Sequence, residues 1–300
     1  MLKINEAFYS KIVPWLLPSL IAFIIIIFFK IAFFRLIYVQ SQDMLQALRP
    51  GDLILINKFT KPKQNDVIAF HNPKEDTLSK KVKTVFIQRC IAMPGDSIKI
   101  EDGVVFVNNV LMETTQVLQF NYHIKTKKIR LDSLLEFKYG ITEGGKVSDE
   151  FDYSYSLTEA MADSLKKETF VSEIEKKTEK KTAWDEQIYP HNRNYKWNKY
   201  NVASFYVPKK GDVLSLDTST VYLYGKLISI DEDNKVVLKH DSIFINEVLT
   251  KTYTVKTNYY FTLGDNRDNA IDSRYWGLLP ENNIIGKMTC VVSRNKKGKK

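Results

Sequence analysis

SIKIEDGVVFVNNVLM, residues 97–112, reads as strand, turn, strand. Two apolar runs, SIKI and VVFV, flank Asp102-Gly103, a pair that tolerates the positive φ of a tight hairpin turn. The same texture continues outward in DLILINKF from Asp52, DVIAFHNP from Asp66 and TVFIQRCIAM from Thr84. Each is a short apolar run with strand character. Several strands open after a polar pair: Gly51-Asp52, Asn65-Asp66, Gly95-Asp96 and Gly211-Asp212. VVFVNNVLMETT from Val104 is echoed by SIFINEVLTKTYT from Ser242, again strand, polar turn, strand. Two copies do not make a repeat architecture. The fold class expected is mainly β and antiparallel, with tight turns.

The chain has 300 residues, room for one sizeable domain with an insert or for two small domains. Lys and Arg number 44 against 35 Asp and Glu, a formal +9. The excess sits in helix faces and in the 296–300 tail, and no nucleic-acid reader motif accompanies it, so nucleic acid is not an expected partner. Cys90 and Cys290 lack C-x-x-C spacing and a His-rich neighbourhood, so no zinc site is expected. Two buried, unpaired thiols are the preferred reading. His71, His123, His191 and His240 show no triad or metal spacing, and the reading assigns no cofactor.

Residues 12–29, IVPWLLPSLIAFIIIIFF, carry no charge, the length of a transmembrane helix at about 20 residues. Lys30 snorkels, and Trp15 and Tyr38 bracket the span at interfacial depth. The run is too long for a signal-peptide core and no A-x-A site follows, so an uncleaved anchor over 12–36 is expected after a short 1–11 tail. The positive-inside rule does not orient it, because Lys3 and Lys11 precede the span while Lys30 and Arg35 lie at or after its end.

The β core is expected over 37–112 and 205–295, interrupted by a polar mixed α/β insert at 113–204. Within the insert, Ser156 with Glu159 forms a capping box and LTEAMADSLKKETFVSEI reads as a helix. Its stripe of Leu157, Met161, Leu165 and Ile174 is core packing. EKKTEKKT, 175–182, is a solvated end. YPHNRNYKWNKYN, 189–201, interleaves basic and aromatic residues as single-strand nucleic-acid binders do, but a loop lying on a sheet uses the same mixture and is preferred.

Three motifs follow in order: S-x-x-M-x-x-x-L-x-P-G-D at 41–52, Q-R-C-I-A-M-P-G-D at 88–96 and GDNRDNAIDSRYWG at 264–277, closed by I-I-G-K at 284–287. With the apolar run before them, they resemble bacterial type I signal peptidases over most of the chain outside the insert. The resemblance implies a membrane-anchored, mostly antiparallel β-domain on the outer face of the cytoplasmic membrane, single-pass, cutting secretory precursors with a Ser/Lys dyad. In that chemistry a neutral Lys amine, its pKa depressed by burial, takes the proton of the Ser hydroxyl.

Here the sequence departs from the pattern. The nucleophile position, one before Met44 and eight before Gly51, is Asp43. The base position, directly before Arg89, is Gln88. A third hydroxyl that helps hold the Lys amine is replaced by Ala270. Ser41 stands where the family's oxyanion hydroxyl stands, and in an extended segment it lies about 7 Å along from Asp43. Lys80, Lys81 and Lys83 are misplaced for rescue, the first two by over ~20 Å along a strand and the third by pointing to the opposite face. The supporting positions Gly264, Asp265, Asn266, Arg267, Asp272, Ser273 and Arg274 remain, with the acids implied to pair with arginines such as Arg274.

The reading is a signal-peptidase-like membrane protein of protein export that does not cleave. Its expected partners are the membrane and either secretory precursor peptides or an active signal peptidase. The alternative is an active peptidase with a non-standard nucleophile, including an aspartyl pair of Asp43 with Asp272 or Asp265. A third reading keeps only the scaffold, with Met44, Leu45 and Leu48 packed into the core or against lipid.

Overall fold

The computed structural model describes residues 6–73, 84–113 and 117–295. Lys80, Lys81, Lys83 and the basic 296–300 tail lie outside them. The opening hairpin forms as its pattern dictates. Strands Ser97–Glu101 and Val104–Val107 pair antiparallel, with Ile98 opposite Val107 and Ile100 opposite Val105. All four of those side chains are buried, and Asp102 (φ 51°) and Gly103 (φ 79°) supply the two left-handed residues of the turn. The 242–249 echo repeats the device, its strands Ser242–Ile245 and Val248–Leu249 joined through Asn246 (φ 50°) and Glu247 (φ 71°).

The four polar pairs also have a physical account. In each, the Asp carboxylate accepts the backbone N–H three residues earlier: Arg49 to Asp52 at 3.0 Å, Lys63 to Asp66 at 2.7 Å, Met93 to Asp96 at 2.7 Å and Lys209 to Asp212 at 2.8 Å. The Asp N–H returns a bond to the carbonyl of that same residue. The residue before each Asp has positive φ (Gly51 89°, Asn65 70°, Gly95 99°, Gly211 92°), the third position of a type II turn. These turns launch strands into the sheets.

The central seven-stranded antiparallel sheet runs in the order Phe34–Tyr38, Leu53–Asn57, Ile284–Ser293, Val67–His71, Val85–Ala92, Tyr259–Leu263, Leu279–Pro280. Chain-distant segments therefore meet in the middle, which places Gln88 and the 264–277 stretch side by side. A second sheet (171–176, 119–126, 152–158, 144–146) belongs to the insert. It docks on the core through a parallel bridge between Gln119 and Asn266.

Four expectations are corrected. The insert helix is only Glu159–Lys166, because Asp152–Thr158 and Val171–Lys176 are strands of the insert sheet. Its cap is the Thr158 hydroxyl, which accepts from Met161 N at 3.3 Å, while Ser156 is drawn into the sheet and points at Asn266. Lys176, expected in a solvated end, lies 3.3 Å above the Phe120 ring, where its stem finds cover. Both cysteines are free, but only Cys90 is buried; Cys290 is exposed on the long strand beside Leu55.

The N-terminal helix Glu6–Phe33 stops before the expected limit, since Arg35 and Leu36 pair into the sheet. Among the described residues no helix is long and apolar enough to cross a membrane. The 189–201 segment is a loop on the core, with Trp197 and Tyr200 buried and Trp197 packed edge-on against Tyr195. Those rings are committed to packing. Leu157 and Leu165 are likewise buried in the insert's own core, with Met161 and Ile174 against it.

Candidate functional site

Residues 41–48 form a tight turn, closed by Leu45 N to Gln42 O at 3.1 Å and Leu48 N to Met44 O at 2.6 Å. The extended geometry expected for Ser41 and Asp43 is thus replaced by a folded one, which brings the Ser41 hydroxyl near enough to the Asp43 carboxylate to lower its pKa slightly. Asp43 is 7% exposed. Met44, Leu45 and Leu48 are buried, Met44 and Leu48 against Ile54, Ile56 and Ile87, the core packing named in the scaffold-only reading.

Gln88 faces Asp43 from the strand Val85–Ala92 and is fully buried. Its Nε2 donates to Asp43 Oδ2 at 3.2 Å and to the Ile271 carbonyl at 2.8 Å. Its Oε1 accepts the Thr262 hydroxyl at 2.9 Å. With the Thr262 proton committed there, the Ser273 hydroxyl 3.3 Å away donates to Thr262 while accepting Thr262 N–H at 3.0 Å. Both amide protons and the amide oxygen of Gln88 are therefore engaged. Buried networks of this kind hold when every member is satisfied.

The 264–277 stretch forms the floor. Gly264 is required by close approach: a Cβ there would meet the Asp43 carbonyl at 2.8 Å and the Ala270 Cβ at 2.3 Å. Asp272 Oδ1 accepts Arg274 N (3.1 Å) and Nε (2.8 Å), and Oδ2 accepts Gly264 N (3.1 Å) and Arg274 Nη2 (2.7 Å). Asp265 holds Arg89 in the same bidentate way, at 2.8 and 2.6 Å. Asn266 N donates to the Asp43 carbonyl at 2.9 Å. Its side chain donates to Glu143 Oε2 (2.6 Å) and accepts from Ser156 Oγ (2.9 Å), tying the insert to the site.

Burial is the largest influence on Asp43 and raises its pKa to about 6; the Gln88 bond opposes this, the Asp272 charge adds to it, and the Ser41 hydroxyl opposes it. Asp43 is about nine-tenths ionised at pH 7 on that value. Arg267 is pushed down to about 10, first by burial and then by the Arg274 charge.

Chemically, the site pairs a carboxylate with an amide. Gln88 has no basic lone pair, and among the described residues no lysine amine is hydrogen-bonded to Asp43 or Gln88. Asp272 accepts four donors and has no free oxygen lone pair from which to take a proton from water, and Asp265 faces Arg89. An aspartyl pair is thus not assembled. Among the described residues no group of three His, Cys, Asp or Glu is placed to hold a metal.

The structure brings together every residue expected at the site: Ser41, Asp43, Met44, Gln88, Arg89 and the 264–274 residues. It adds Thr262, Glu143 and Ser156. Thr262 had a short-range signal, two residues before Gly264 on an apolar strand. Glu143 and Ser156 come from the insert and carried none.

The fold and the site define a β-scaffold of peptidase type whose central pair is Asp and Gln. The family model described as signal peptidase, peptidase S26, matches residues 12–293. A signal peptidase I of Buchnera aphidicola subsp. Baizongia pistaciae is 25% identical over 97% of this chain and 80% of its own length. One from Aquifex aeolicus is 24% identical over 83% and 72%. One from Haemophilus influenzae is 48% identical, but over only 14% of this chain and 12% of its own. The chain belongs to the peptidase S26 signal peptidase family.

Proposed function

We propose that this protein is a signal-peptidase-like component of protein export that does not cleave, and instead engages secretory precursors or an active signal peptidase at the membrane. The observation that supports the reading is the Gln88–Asp43 contact at 3.2 Å, between the two residues that motif spacing assigns to the family's base and nucleophile positions. An amide cannot take a proton from a nucleophile at neutral pH, and an ionised Asp43 repels a developing oxyanion. The Arg89–Asp265 and Arg274–Asp272 pairs keep the scaffold of the site. In this reading residues 113–204 are an insert in the β core, although Ile188, Tyr189, Trp197 and Val202 pack into the main core cluster.

Membrane anchoring by the N-terminal helix belongs to the same proposal. Trp15, Leu17, Phe23 and Ile24 are exposed along it, an apolar surface that lipid would cover. The β-body then lies on the extracytoplasmic side.

The test is cleavage of a secretory precursor by the purified, detergent-solubilised chain. The expected result is no cleavage by the unaltered protein and cleavage by Asp43→Ser, Gln88→Lys, with Ala270→Ser added to supply the third hydroxyl. Cleavage by the unaltered protein would overturn the reading.

One observation favours a second reading, an active enzyme. Asp43, with its pKa raised to about 6, lies near the Ser41 hydroxyl, an arrangement in which Ser41 would be the nucleophile and Asp43 the base. Cleavage abolished by both Ser41→Ala and Asp43→Asn would establish that reading.

A further inference from the structure

Three ion pairs close around the 264–274 loop. Arg89 holds Asp265, Arg274 holds Asp272, and Lys199 lies 3.3 Å from Asp268. Arg267 is only 6% exposed, and its Nε has no hydrogen-bond partner among the described residues. The Asp265 and Asp272 carboxylates act on it through space but no ion pair to it is formed among the described residues, and a buried guanidinium without a direct partner is unfavourable. Arg267 lines a cavity of about 700 Å³, within the usual range for a small-ligand site. Ile91, Val105, Leu118 and Phe120 give that cavity apolar walls. Arg89 and Arg267 line it but Asp43 and Gln88 do not, so it adjoins the site above without including the Asp43–Gln88 pair.

We propose that this cavity binds the C-terminal carboxylate of a short apolar peptide on Arg267. The planar guanidinium fork matches a carboxylate in bidentate fashion. The apolar walls take the side chains nearest the terminus. The other charged groups lining the cavity select the remainder of the ligand. Glu113, Glu159 and Asp163 repel any second negative charge and favour a free amino group, while Arg89 is occupied by Asp265 and Lys176 sits over Phe120. A doubly charged phosphate fits this lining poorly, and a zwitterionic peptide fits it well.

The test is calorimetric titration of the full chain, in non-ionic detergent, with the tripeptide Ala-Leu-Ala, with its C-terminal amide, and with dodecanoate. The amide is expected to bind at least about tenfold more weakly, the worth of one charge-assisted hydrogen bond. Arg267→Gln should bring acid and amide within about threefold of each other. Val104→Trp, at a partly exposed lining position, should weaken both without touching Arg267. Equal binding of acid and amide by the unaltered chain, no binding of either at millimolar concentration, or a preference that survives Arg267→Gln would each overturn the proposal. Tighter binding of dodecanoate than of the tripeptide would overturn it in favour of a fatty-acid site. Should Arg267→Gln fail to fold, unchanged binding by Val104→Trp would overturn it equally.

Discussion

Asp43 carries the main electrostatic burden of the site. Its folded pKa of about 6 lies above the ordinary 3.8, because burial disfavours the charged form. The folded state therefore binds the proton more tightly than the unfolded chain. The resulting stability is fully present below pH ~4 and is lost as pH rises through about 6. Asp43→Asn removes the charge and keeps an acceptor for Gln88. It should leave stability near pH 4 almost unchanged and raise it by about 3 kcal/mol at pH 8. Urea unfolding at the two pH values measures this, and a variant equally or less stable at pH 8 would contradict the burial argument. At this scale Asp43 and Gln88 were legible as neighbouring site residues from motif spacing alone. The Ser41 contact was not, because an extended and a folded 41–48 segment have the same sequence and only the hydrogen bonds of the turn distinguish them.

At the scale of elements, the type II turns are the most regular device in the chain. Asp96 closes its turn through Met93 N and also accepts Asn108 Nδ2 at 2.8 Å, linking the turn to the following hairpin. Asp96→Ala should cost about 1–2 kcal/mol, one side-chain cap with its partners left unmet. Gly95→Ala should cost about 1 kcal/mol more than a neutral surface change, since φ is 99° there although space around the Cβ is open. Thermal unfolding of the two variants separates a hydrogen-bond loss from a backbone penalty. Strands and hairpins were legible here because alternation and Asp-Gly or Asn-Asn turns are local signals. The insert helix was misjudged because strand residues 152–158 and 171–176 flank it with apolar spacing compatible with either period. The choice was made by pairing with strand 119–126, which lies more than twenty residues away along the chain from both.

At the scale of the whole molecule, the insert and the core meet at Asn266. Its side chain reaches Glu143 and Ser156, and its backbone holds the Asp43 carbonyl. Asn266→Ala should destabilise the molecule by about 2–3 kcal/mol by leaving buried partners unpaired. Hydrogen exchange should then quicken in the 119–176 sheet before it quickens in the seven-stranded sheet. Equal protection of both sheets in the variant would show that this tie does not couple them. The Gln119–Asn266 bridge adds a backbone link at the same point, so the coupling is local and identifiable.

What the sequence determined by itself was the antiparallel β character, the turn positions, the family resemblance and the presence of Asp43 and Gln88 at its motif positions. These rest on local periodicity and on residue identity at motif positions. Only the tertiary structure decided that Gln88 donates to Asp43, that Asp272 is saturated by Arg274 and Gly264, and that Arg267 stands unpaired beside a cavity. The Gln88 contacts depend on side chains that meet across 45 residues of chain to Asp43 and 174 to Thr262. Such meetings are set by sheet order and packing, which short-range pattern does not encode.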